Sequence, residues 1–299
     1  ASKIISRAGL TGEDTVVEIG SGLGALTVPL AYQSKHVYAI EPDKRIAGLL
    51  RNELMANGLT NVTIVENDIL ACDLSAMTDP SLQSLKVLGN LPYHISSQVI
   101  VYLLGFRKYI TSAVLMFQKE VAERLLAQPG NKIYGRLSVL IGYSATIRPV
   151  VTVPASSFHP RSGVDSAVVA IDFFNAPLFP ASDETLLFNI VRAGFGKRRK
   201  MLKNALLTGD LNLNESVLMK AFKSTDIDPQ TRAEKLSVEE FVRLSNAFCS
   251  FRARFWDPEN TWLNVKHVVW CFQADRRNLC AQLGLRPSNS LTFLTPCDF

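Results

Sequence analysis

Thr15-Val-Val-Glu-Ile-Gly-Ser-Gly-Leu-Gly24 is the stretch on which the fold turns. Its first half is a run of β-branched and aliphatic residues, the composition of a buried strand. The run stops at glycines spaced two apart, Gly20, Gly22 and Gly24. Glycine takes positive φ without steric penalty and lets a backbone approach a ligand closely. The segment after it, Ala25 to Ser34, reads as a helix. Strand, glycine-rich turn and helix in that order open a nucleotide-binding α/β sheet. The loop alone is weak evidence, because dinucleotide-binding dehydrogenases share it. Their usual form places the last glycine three positions after the second, whereas here the glycines alternate and an acid, Glu18, precedes them.

The same alternation continues outward. HVYAIE (His36–Glu41) is a second strand, and the following DKRIAGLLRNELMANG carries apolar residues at helical spacing and ends at Gly58. VTIVEND (Val62–Asp68) is a third strand and KVLGNLPY a fourth that enters a turn. SSQVIVYLLG reads as helix, ITSAVLMFQ as strand, KEVAERLLAQ as helix and SAVVAIDF (Ser166–Phe173) as strand. This order predicts an α/β, Rossmann-like, mainly parallel doubly wound sheet with helices on both faces. Ligands in such sheets sit beyond the carboxyl ends of the strands, where every motif discussed below falls. Phe174–Ser182 holds two prolines and little periodicity, and from Asp183 to about Phe248 the pattern is helical. The expected organisation is a sheet domain over 1–175, a small α-helical domain over 183–248 and a tail over 249–299. The tail holds all three tryptophans and four of the five cysteines, and its pattern assigns it no structure.

Composition sets bounds and little more. Of 299 residues 47% are hydrophobic and 20% charged, an ordinary globular balance rather than a disordered one. A net charge of +5 with pI near 8.9 permits a polyanionic partner without requiring one. No apolar run approaches the ~20 residues of a membrane span, and the first residues, ASKIISRAGL, lack the features of a secretory signal. They read as a helix entered after its beginning. Five cysteines without C-x-x-C or Cys/His metal spacing suit reduced thiols in the cytoplasm and no metal site. The expected localisation is cytoplasmic, as a monomer.

The strand ends carry the chemistry. Glu41 closes the second strand 21 positions after Gly20, where a carboxylate can accept from both ribose hydroxyls of a nucleoside. Asp68 closes the third and can accept from an adenine amino group, or serve only as a helix cap; Ile69 beside it can cover the ring. Two acids at successive strand ends, with no phosphate-binding cation near them, suit a nucleoside without phosphate, such as S-adenosylmethionine. Asn90-Leu91-Pro92-Tyr93 ends the fourth strand. An amide oxygen and a backbone carbonyl side by side can accept both hydrogens of an exocyclic amine and aim its lone pair at a methyl-bearing sulfur. Proline stiffens the turn, and tyrosine offers a face for an extruded base.

Together with Phe158-His-Pro-Arg-Ser-Gly-Val-Asp-Ser166, Gln118–Arg124 and Tyr134–Ser138, these motifs resemble the KsgA-type ribosomal RNA adenine dimethyltransferases, kin of the Erm methyltransferases, over about Val16 to Phe248. The resemblance implies methyl transfer from S-adenosylmethionine to adenine N6 in ribosomal RNA or an immature small ribosomal subunit, as two methyl groups on adjacent adenines. It implies catalytic roles for Asn90, Leu91, Pro92, Tyr93 and Phe158, the last packing on the target adenine. It assigns the cofactor to Glu18, Gly20, Ser21, Gly22, Glu41, Asp68, Ile69 and Asn90. Two departures stand out. A Q-N/H-F-L segment that members usually carry before the glycine loop is absent from this chain, and Ser162 takes the place of a second proline, which should loosen its loop.

Lys197-Arg-Arg-Lys200 and Lys203 put five cations within seven residues, placed at the start of a second helix of the helical domain and expected to contact RNA phosphates. Arg161, beside Phe158, is a further phosphate candidate. His159, without a partner acid in view, is given no role. Three other readings stay open at this level. A nicotinamide oxidoreductase explains the glycine loop and Glu41 but not Asn90–Tyr93. A non-catalytic ribosome-assembly or transcription factor could keep the fold, and a methyltransferase could act on DNA or another RNA site.

Overall fold

The protein is seen here as a computed structural model that describes residues 2–78, 84–158, 162–209, 211 and 213–254. Among these, seven strands form one sheet in the order β3-β2-β1-β4-β5-β7-β6. The strands are β1 (Thr15–Ile19), β2 (His36–Ile40), β3 (Val62–Val65), β4 (Leu85–Asn90), β5 (Ile110–Gln118), β6 (Ala145–Val153) and β7 (Ser166–Phe173). β1 through β5 pair in parallel, while β7 is antiparallel to both β5 and β6. The mainly parallel expectation thus holds with an antiparallel edge.

Side chains alternate between the two faces of a strand, and here both faces are covered. Val17, Val87, Ala113, Leu115 and Phe117 join one buried core with residues of α4 (Ser96–Gly105), α5 (Lys119–Leu126) and α6 (Arg136–Ser144). Their neighbours Val16, Leu88, Val114 and Met116 join the other with α1 (Ser2–Ala8) and α2 (Thr27–Ala31). The β-branched runs form strands because each residue finds an apolar face on either side.

Local chemistry sets the helix ends. Asp43 caps α3 (Lys44–Ala56), its Oδ1 accepting from the N–H groups of Arg45 at 2.8 Å and Ile46 at 3.4 Å. Ala47, Leu50 and Leu54 form its buried stripe, and Gly58, at φ +65°, turns the chain out of it. Two elements escape a reading by pattern. RLSVLIGYS forms α6 and runs straight into β6, with no breaker between them. Pro149, a residue that argues against a central strand, is tolerated because β6 lies at the sheet edge, where pairing is irregular between Pro149 and Val151.

After β7 the chain crosses 174–182 without helix or strand and enters α7 (Glu184–Gly196), α8 (Leu202–Leu207), α9 (Glu215–Thr225) and α10 (Val238–Arg254). Arg107 grips both carboxylate oxygens of Glu184 at 2.7 and 2.6 Å, and the Tyr143 hydroxyl donates to the same group at 2.9 Å. Asn246 of α10 accepts from the Ser182 N–H at 2.7 Å and donates to the Pro180 carbonyl at 3.1 Å. Ala1–Cys249 form one compact unit. Residues 255–299, with the tryptophans of the tail, lie outside the described residues.

Candidate active site

The sheet delivers four loops to one edge. Gly20, Gly22 and Gly24 adopt φ of +74°, +54° and +93°, so the loop after β1 needs the residue type found there. Its first N–H groups, of Gly20 and Ser21, donate to the Ile40 carbonyl at 3.0 and 3.3 Å and fasten the loop to β2. A side chain at Gly20 would stand 3.4 Å from the Asn90 carbonyl and 4.0 Å from Pro92 Cδ. The glycine loop and the Asn90–Tyr93 turn are therefore neighbours. Gly89, which pattern reading passed over, has a sharper reason: a Cβ there would lie 2.6 Å from the Ile19 carbonyl oxygen. The signal was a glycine inside a strand, directly before Asn90.

Glu18 is buried at 1% exposure, and its Oε2 has no hydrogen-bond partner among the described residues. Burial pushes its carboxyl up to about 7; the Thr27 hydroxyl, close by without closing a hydrogen bond, opposes the shift, and the Glu41 carboxylate adds to it. Ser21 Oγ and Thr27 Oγ1 are also buried without partners. Buried polar groups are normally satisfied, so three unmet ones around one glycine loop fit a polar ligand that completes them. Glu41 is buried too; its Oε2 accepts from the Gly22 N–H at 3.0 Å and its Oε1 from the Asp43 N–H at 3.1 Å. Each carboxylate oxygen keeps a further lone pair for a hydroxyl donor. Asp68 is exposed and caps the short helical turn Ile69–Ala71, its Oδ1 accepting from the Leu70 N–H at 2.9 Å. The capping role is real, and it leaves Oδ2 for a ligand. Ile69 is buried in the core, so it offers a ring an apolar floor rather than an exposed cover.

At the end of β4 Asn90 is exposed, pairs in register with Met116, and makes no side-chain hydrogen bond among the described residues. Leu91 turns its side chain into the core at 1% exposure, which leaves its backbone as the functional part. Pro92 is exposed and Tyr93 half-buried. The Tyr93 hydroxyl lies 2.8 Å from Ser166 Oγ and 3.5 Å from Ser162 Oγ. Ser162 Oγ also donates to the Val164 carbonyl at 2.9 Å and accepts from the Val164 N–H at 3.3 Å, so the hydroxyl gives that loop contacts a proline could not. Phe158 is half-buried and packs against the core formed partly by Val168 and Met116. Arg161 and His159 lie outside the described residues.

The basic cluster needs a correction. Lys197–Lys200 form the turn between α7 and α8 rather than the start of a helix, because the Leu202 and Lys203 N–H groups donate to the Thr231 and Pro229 carbonyls at 2.7 and 3.2 Å and fix where α8 begins. Lys197 Nζ donates to the Thr208 carbonyl at 3.0 Å, Arg198 lies 3.5 Å from Glu234, and Lys203 pairs with Glu215 at 2.7 Å. Arg199 and Lys200 are exposed, with no side-chain partner among the described residues. Those residues hold no group of three or more side chains suited to a metal and no helix long and apolar enough to cross a membrane.

Residues 1–249 match the family described as ribosomal RNA adenine dimethylase. The chain is 44% identical over 250 residues to ribosomal RNA small subunit methyltransferase A of Desulforapulum autotrophicum, covering 84% of this chain and 87% of that protein. It is 40% identical over 250 residues to the protein of the same name from Geobacillus thermodenitrificans, covering 82% and 85%. Among solved structures, a dimethyladenosine transferase from Plasmodium falciparum superposes with a TM-score of 0.72 at 27% identity, over 84% of this chain and 95% of that one. The 23S rRNA methyltransferase ErmE shares the fold, with a TM-score of 0.62 at 24% identity over 83% and 96%.

Proposed function

The chain belongs to the ribosomal RNA adenine dimethylase family, and on that premise we propose how its site places methyl groups from S-adenosylmethionine on the N6 of adenine in ribosomal RNA. When bound, S-adenosylmethionine supplies a methyl group on a sulfonium sulfur, already a good leaving group. Gly20, Ser21 and Gly22 bring the loop backbone to it, Glu41 accepts from its ribose hydroxyls, and Asp68 accepts from its adenine amino group. Ile69 floors the ring, and Glu18, whose buried Oε2 has no partner among the described residues, offers a polar group beneath the loop.

Asn90 carries the reading: a strand-end residue whose backbone carbonyl lies against Gly20 of the glycine loop and whose exposed side-chain amide makes no hydrogen bond among the described residues. Its Oδ1 and the Leu91 carbonyl accept the two hydrogens of the target amine and turn its lone pair out of conjugation. Pro92 stiffens the turn that presents them. Tyr93 and Phe158 stack on the two faces of the base. Holding reactants in this way can contribute roughly 7–11 kcal/mol, so orientation supplies most of the acceleration. The amine becomes acidic as it is alkylated and gives its proton to water.

The helices after β7 form the RNA-binding lobe, with Arg199 and Lys200 facing phosphates from a turn that Lys197, Arg198 and Lys203 hold in place, and Arg161 reaching them beside the base. The target is a pair of adjacent adenines in small-subunit RNA, free or in an immature particle, and the enzyme works as a monomer in the cytoplasm. Incubation with labelled S-adenosylmethionine and under-methylated small-subunit particles, followed by mapping of the modified adenines, tests this. Dimethylated adenines are expected; label on another base, or none, would overturn the proposal.

A further inference from the structure

Tyr93 is held at both ends by buried serines. Ser96, 1% exposed in the first turn of α4, donates its hydroxyl to the Tyr93 carbonyl at 2.9 Å. Ser166, fully buried at the start of β7, has its Oγ 2.8 Å from the Tyr93 hydroxyl. Ser166 is no loop residue: it pairs in register with Gln118 of β5 on one side and Val153 of β6 on the other. A group on a rigid strand fixes its partner more tightly than a loop can.

The residue before it does the corresponding work for the other aromatic wall. Asp165 Oδ1 accepts from the Ala155 N–H at 2.9 Å, and the Asp165 carbonyl accepts from the Lys119 N–H at 3.0 Å. Ala155 in turn accepts from the N–H groups of Phe158 at 3.4 Å and Ser162 at 3.3 Å. The loop carrying Phe158 thus closes back on Asp165, which is fastened to the sheet. One peptide unit, Asp165–Ser166, anchors the tyrosine through one side chain and the phenylalanine loop through the other.

We infer that Asp165 and Ser166 are positioning residues that set the mutual placement of Tyr93 and Phe158, and so the slot in which the adenine amine is aligned. The inference rests on the proposed role of the two aromatics as stacking walls. Neither residue touches substrate; each acts through a wall. Misplacement of a bound reactant by about 1 Å can cost on the order of a hundredfold in rate, so a hydrogen bond remote from the chemistry can govern it.

The test is a double-mutant cycle of Tyr93→Phe and Ser166→Ala, read as single-turnover methylation of adenine at saturating cofactor. Each single variant should lose about tenfold, and the double variant no more than either, because both remove the same hydrogen bond. Cofactor affinity should stay at the parent value. Asp165→Asn, which keeps Oδ1, should retain far more rate than Asp165→Ala. Multiplicative losses in the cycle, or single variants at the parent rate, would overturn the inference. If Ser166→Ala fails to fold, Tyr93→Phe decides alone, since it keeps the ring and removes only the hydroxyl. A parent rate then refutes the assignment, and a loss at unchanged RNA and cofactor affinity upholds it. A parent enzyme that methylates no adenine would instead refute the proposed function; active parent enzyme with a multiplicative cycle refutes this inference alone.

Discussion

The backbone N–H of Gly22 donates to Glu41 Oε2 across 3.0 Å, joining the middle glycine of the first loop to the acid at the end of the second strand. A side chain and a loop that are both proposed to face the cofactor are therefore joined before anything binds. Preorganisation of this kind reduces the ordering that binding must otherwise impose.

Replacing Glu41 with alanine removes the ribose acceptor and the loop's anchor together. Loss of a charge-assisted hydrogen bond costs about 1.5–3 kcal/mol, so S-adenosylmethionine should bind roughly ten- to a hundredfold more weakly by calorimetry. Parent affinity, or preferential binding of a nicotinamide dinucleotide, would contradict the assignment of this pocket.

The basic turn separates into structural and available cations. Lys197, Arg198 and Lys203 already hold protein groups, whereas Arg199 and Lys200 have no side-chain partner among the described residues. Arg199→Ala with Lys200→Ala should weaken RNA binding and reduce the slope of log affinity against log salt by about 0.7–0.9 per lost phosphate contact. Stability and cofactor affinity should not change. An unaltered slope in a salt titration would take these two residues out of the interface.

Glu18 links stability to pH. Its folded carboxyl is raised from 4.5 to about 7, so between those values the folded state holds a proton that the unfolded chain has released. Stability therefore falls as pH rises through this window, and above it the buried charge costs roughly 3 kcal/mol. Glu18→Gln mimics the neutral acid and should escape that loss. In urea titrations without cofactor, the variant's advantage over the parent should grow from about pH 4.5 and level off above about pH 8. A gap that stays constant with pH would mean that Glu18 is ionised throughout.

Much of this was legible in the sequence, for identifiable reasons. The first three parallel strands are apolar runs followed by a glycine or an acid, and the fourth ends at Asn90, so β1 to β4 and the candidate site residues at their carboxyl ends could be placed from local pattern. The β6 strand could not, since its proline is acceptable only at an edge that the strand order creates. The turn at Lys197–Lys200 looks helical because lysine and arginine are good helix formers, and contacts to Pro229 and Thr231 override that preference. Ser166 gave no local sign of its bond to Tyr93, 73 positions away; antiparallel pairing of β7 with β5 brings them together.

The last expectation concerns Asn90. Its exposed amide makes no hydrogen bond within the described chain, so removing it should leave little unmet in the folded protein. Asn90→Ala should accordingly keep the parent melting temperature and nearly the parent cofactor affinity. Methyl transfer should collapse, because the amide acts where the amine is aligned and charge begins to develop, so its loss falls on the chemical step. By analogy with removal of one preorganised oxyanion-hole donor, the loss should be about 10²–10³ in single-turnover rate. Asn90→Asp retains an acceptor oxygen at nearly the same place and should keep more activity than alanine. Both variants methylating adenine at the parent rate would make the Asn90–Tyr93 turn structural, and the alignment of the amine would have to come from elsewhere in the site.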